Sequence, residues 1–150
     1  MTFFEARAAD VAQLEAEQAF ALADGRADFA AIYAEAIETT ARQLMTYSPE
    51  AGEAHFLNAD GWTAATMAFA KVAELRIQEA VEQEIVDTFE RGEITKPNIF
   101  VGILEELQED GEGAFINVRG FKITAEGDRL IMTAEDGERR SFPTDNLDTE

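Results

Sequence analysis

The chain has 150 residues, 46% of them apolar, which is enough for one domain with its own core and too apolar for disorder throughout. It has no cysteine and one histidine, His55, which excludes disulfides, thiolate chemistry, multi-histidine metal sites and most histidine relays within one subunit. A formal charge of −19, from 12 basic and 31 acidic side chains, works against polyanionic partners such as nucleic acid.

Thr2-Phe3-Phe4-Glu5 is a capping-box pattern, and the alanine-rich stretch that follows to Ala23 has neither glycine nor proline. Phe4, Ala8, Val11, Leu14, Ala21 and Leu22 mark a helical stripe, interrupted by Gln18. Asp24-Gly25 stops that helix, and Asp28 suits the cap of the next. There Phe29, Ile32, Tyr33, Ala36, Ile37, Thr40 and Leu44 recur at spacings of three and four, so the two helices make an α-hairpin. Ser48-Pro49-Glu50 opens another helical turn, cut short by Gly52 and by Asn58-Ala59-Asp60-Gly61.

A long helix is expected from about Trp62 to Arg91, ended by Gly92. Its first half places Ala65, Phe69, Val72, Ala73, Leu75 and Ala80 on one face. Its second half places Val81, Ile85 and Phe89 on nearly the opposite side. Rows spaced by four advance only about 40° per step, so the changeover around Arg76–Gln83 is too large for ordinary drift. Either the helix breaks there or its halves pack against different things, and a second subunit over Val81, Ile85 and Phe89 is one such arrangement. Glu74, Glu79, Glu82, Glu84 and Asp87 read as its solvated face.

A short helix over Ile99–Leu107 follows, with Phe100, Ile103, Leu104 and Leu107 on one side, and Gly111-Glu112-Gly113 ends the helical region. From there the pattern changes to strands: Phe115–Val118, Phe121–Thr124, Arg129–Thr133 and Arg139–Phe142. Asp136-Gly137 reads as a two-residue hairpin turn and Gly120 as a bulge. The expected fold class is α+β: a helical body over 1–113 with about four helices, a three- to four-stranded antiparallel meander over 114–142, and an acidic tail over 143–150, in one domain. Such a meander needs a helix or a partner to cover it.

Charge follows the same division. Residues 114–142 hold five cations against five acids, the tail adds three acids, and 1–113 carries −16. A GC-rich genome or a high-salt habitat accounts for the acidity as well as a function does. Only three lysines accompany nine arginines.

Little in the sequence carries chemistry. His55 sits among aromatic residues with Asp60 five positions on, the one candidate for a general base. No HExxH, EF-hand loop or phosphate-binding glycine loop is present, so neither a catalytic residue, a metal site nor a cofactor is expected. The expectation is a non-catalytic interaction or assembly protein, homo-oligomeric or fixed in a larger complex, with a viral structural or connector component as one form of it. Val81, Ile85, Phe89, Arg119, Arg129, Arg139 and Arg140 are the expected partner-binding residues. Arginines of the meander meeting carboxylates of a neighbour make that contact head-to-tail. An acidic inhibitor imitating nucleic acid is the alternative, and a small enzyme using His55 the third. With no apolar run of membrane-spanning length, and with Glu5 and Asp10 where a signal peptide is basic and then apolar, the chain is expected to be soluble, intracellular or in a virion.

Overall fold

Thr2 and Glu5 set the start of the first helix. In the computed structural model, which describes residues 2–147, the Thr2 hydroxyl accepts the Glu5 amide at 3.1 Å. The Glu5 carboxylate accepts the Thr2 amide in return, so two amides that a helix end leaves open are satisfied. Helix α1 spans Phe3–Ala23 and α2 spans Ala27–Thr46, with Gly25 at φ 73° in the turn between them. Asp28 is not the cap expected of it. It lies inside the first turn of α2, where the Arg26 guanidinium donates to its carboxylate at 2.7 Å and holds the carboxyl below its ordinary pKa.

Two short 3-10 turns, Pro49–Ala51 and Glu53–Phe56, lead to α3, Ala64–Arg91. The Thr63 hydroxyl caps its start by accepting the Thr66 amide at 3.2 Å. Gly92, at φ 87°, closes its end by donating to the Thr88 carbonyl at 2.8 Å. α3 does not break at the changeover. Instead, the chain divides there into two compact units, one up to Arg76 and one from Ile77.

The first unit buries Leu14 and Ala21 of α1, Phe29, Ala30, Tyr33 and Ala36 of α2, and Ala65, Ala68 and Val72 of α3. Five of these nine are alanines, so the helices approach closely but remove little apolar area from water.

The second unit contains the rest of α3, α4 (Pro97–Asp110) and four strands. These are β1 Ile116–Val118, β2 Phe121–Glu126, β3 Arg129–Thr133 and β4 Arg139–Pro143, paired antiparallel in the order β1-β2-β3-β4. Ile123, Leu130, Met132 and Phe142 on the inner face of the sheet join Phe100, Ile103 and Leu107 of α4 in one core. Ile85 and Phe89 of α3 are in that core too, 1% and 6% exposed, with Val81 half-buried against it. The second face of α3 is therefore covered by its own chain, Ile85 and Phe89 fully and Val81 in part. Four helices followed by a four-stranded antiparallel sheet make the expected α+β layout, and the second half of α3 together with α4 supplies the cover the meander requires. Glu84 is also displaced from the expected solvated row. It is 5% exposed and accepts from the Arg91 guanidinium at 3.2 Å.

The hairpin turns correct two expectations. Val118 pairs with Phe121, so Arg119-Gly120 is the two-residue turn itself, with φ 47° and 86°, and Gly120 is no bulge. Asp136-Gly137 belongs to a three-residue loop: Ala134 donates to the Glu138 carbonyl at 2.8 Å, Gly137 donates to Ala134 at 2.9 Å, and Gly137 takes φ 88°. The expected tail is ordered at its start. Pro143 closes β4, and the 3-10 turn Asp145–Leu147 puts Leu147 into the core at 3% exposure. Asp148 and Glu150 of that tail lie outside the described residues.

Candidate interaction surfaces

Strand alternation sends Ile123, Leu130, Met132 and Phe142 inward, so the residues between them form the outer face of the sheet. The register aligns Lys122 with Thr133 and Arg139 in one row, Thr124 with Ile131 and Ser141 in the next, and Glu126 with Arg129 and Pro143 in the third. Three cations and one carboxylate thus share a surface on a chain of charge −19. Arg129 bonds the Ser141 hydroxyl and, at 3.3 Å, the Ser141 carbonyl, while Arg139 pairs with Glu126 at 3.6 Å, both partners being open to solvent. The Lys122 ammonium stands 4.8 Å from the ring of Phe115, which is itself 55% exposed.

Of the four arginines expected to bind a partner, only Arg129 and Arg139 are on this face. Arg119 lies in the turn and donates to Gln83 at 2.8 Å and to Glu82 at 3.3 Å, tying the first hairpin to α3. Arg140 points to the other side of the sheet, 4.9 Å over the ring of Phe89, and donates to the Glu90 carbonyl at 3.4 Å. Lys122 completes the outer face. The sequence alone does not single it out, because its phase with Arg129 and Arg139 depends on the lengths of two turns.

A second surface lies on α1. The stripe read from the sequence divides: Leu14 and Ala21 turn inward, while Phe4 and Leu22 remain 45% and 58% exposed and Val11 is half-buried. Spacings of seven and eleven bring Phe4, Val11 and Leu22 to within about 20° of one line along the helix, roughly 27 Å long. Phe20 is 70% exposed elsewhere on the same helix. Between α2 and α3 of the same unit runs an open groove of about 600 Å³, floored by Ala36, Ala64 and Ala68, with Glu35, Lys71 and Glu74 among its lining residues.

His55 has a structural task. Its Nε2 is 2.8 Å from the Gln43 carbonyl, which only accepts, so this nitrogen bears the proton and donates. Gln43 lies in the last turn of α2, whose carbonyls have no amide partner within the helix, and His55 joins the Thr46 hydroxyl, 3.3 Å away, in donating to the Gln43 carbonyl. The ring packs edge-on against Phe56, at 5.3 Å, and tilted against Tyr47, at 5.8 Å. Asp60 does not orient it: among the described residues the hydrogen-bond partners of the ring are the Gln43 carbonyl and the Thr46 hydroxyl. Among the described residues no group of three or more histidine, aspartate or glutamate side chains is placed to hold a metal ion, and no helix is long and apolar enough to cross a membrane. No protein family, curated protein or solved structure matches the chain.

Proposed function

We propose that this protein is a non-catalytic assembly component that works by associating with copies of itself. The observation that supports this reading is the line of Phe4, Val11 and Leu22 on α1. A 21-residue helix that buries only Leu14 and Ala21 fully gains little from its own chain, and Phe4 and Leu22 stay about half exposed. Burying such a line against a second copy recovers the area that an alanine-rich core forgoes.

The test is a double substitution, Phe4→Glu with Leu22→Glu, followed by native mass and circular dichroism. Both side chains are exposed, so helix content should persist while the assembly weakens at least tenfold in dissociation constant. Unchanged mass in a folded variant would remove α1 from the interface. A parent chain that is already monomeric would remove the reading itself.

A further inference from the structure

We propose that the outer face of the β-sheet receives the outward face of α4 from a second copy of this chain, giving a head-to-tail contact between second units. This rests on the self-association reading above and names the surfaces it uses. The starting point is the layering of the second unit. α4 turns Phe100, Ile103 and Leu107 onto the inner face of the sheet, so its opposite side and the outer face of the sheet look in opposite directions.

Those two outer surfaces have opposite charge. The sheet presents Lys122, Arg129 and Arg139 against Glu126, a local charge of +2. The outward side of α4 presents Glu105, Glu106 and Glu109, a local charge of −3, and among the described residues none of the three has an ion-pair partner. Their spacing is compatible. Lys122 and Arg139 lie two strands apart, about 10 Å, and Arg129 is about 13 Å along β3 from their row. Glu105 and Glu109 are about 6 Å apart along the helix axis, with Glu106 beside them.

Gly102 adds a separate indication. It lies mid-helix, one turn before Glu105 and Glu106, exposed, and a Cβ built on it meets nothing within 4 Å. Neither backbone strain nor packing in its own chain requires glycine there, and it lowers helix stability by about 1 kcal/mol relative to alanine. A glycine at that place lets an opposing surface approach the α4 backbone closely. Phe115, exposed beside Lys122, supplies an apolar edge to that opposing surface.

Because donor and acceptor surfaces differ, the contact is heterologous and repeats from copy to copy, closing as a ring or extending as a filament. The charge pairs orient the contact and are screened by salt.

Two reversed variants of the full chain test this. Lys122→Glu with Arg139→Glu takes the sheet face from +2 to −2. Glu105→Lys, Glu106→Lys and Glu109→Lys together take the α4 face from −3 to +3. All five side chains are exposed, and circular dichroism establishes that each variant folds. Each variant alone should weaken the head-to-tail step ~100-fold or more, since like charges then face each other, and stop at the species the α1 contact holds. The equimolar mixture should again form assemblies larger than either variant alone, with the two alternating, because each sheet then meets an α4 of opposite sign. Folded variants that individually keep the parent mass, or a mixture no larger than the separate variants, would overturn the proposal. A parent chain that is monomeric throughout would instead overturn the self-association reading on which it rests.

Discussion

Arg91 and Glu84 show how one side chain can decide the stability of a unit. Glu84 is 5% exposed, and the Arg91 guanidinium, one-third exposed, bonds both its carboxylate and the Thr88 hydroxyl. Arg91→Ala leaves a buried carboxylate unpaired and should cost about 2 kcal/mol, toward the low end for such pairs because Arg91 is partly in water. Adding Glu84→Gln should restore much of that loss, measured as the urea midpoint of the double variant against each single one. His55 is expected to matter less. His55→Gln keeps an N–H donor for the Gln43 carbonyl and should fold and assemble like the parent, whereas His55→Ala should lose about 1 kcal/mol. A folded His55→Gln protein that lost its biological activity would contradict the non-catalytic reading.

Elements were legible in the sequence where a local rule decides them. The capping box at Thr2 and Glu5, the ends of α3 near Thr63 and Gly92, and the period-two stretches of the meander each follow from a few neighbouring residues. What was not legible depends on residues distant in sequence. The changeover in α3 was visible, but whether Ile85 and Phe89 meet a partner or their own chain depends on α4 and the sheet, which come later and fold back over them. Ile85→Ala should therefore cost about 3 kcal/mol of stability without lowering the mass of the assembly, checked by denaturant titration and native mass on one sample. Turn chemistry was a second gap. Arginine at φ 47° beside Gly120 does not resemble an Asn-Gly turn, so the two-residue hairpin was hidden. Gly120→Ala should be destabilising by about 2 kcal/mol, since φ 86° disfavours any side chain and the new Cβ would collide with the Glu135 carboxylate. Thermal melting of Gly120→Ala with and without Glu135→Ala separates the two causes.

At the scale of the molecule, charge and apolar surface point the same way. Composition gave the acidity, but only strand register shows that Lys122, Arg129 and Arg139 share one face, and only burial shows that the apolar line of α1 is left open. A chain of charge −19 repels its own copies unless contact is local and complementary, as the sheet and α4 surfaces of the second unit allow. The most direct measurement is sedimentation equilibrium of the unaltered 16.5 kDa chain from low to high micromolar concentration at physiological salt. Self-association predicts a mass above that of one chain, a fixed multiple for a closed ring or one that rises with concentration for a filament, with partial dissociation as salt is raised. A mass of one chain at every concentration and salt would contradict it.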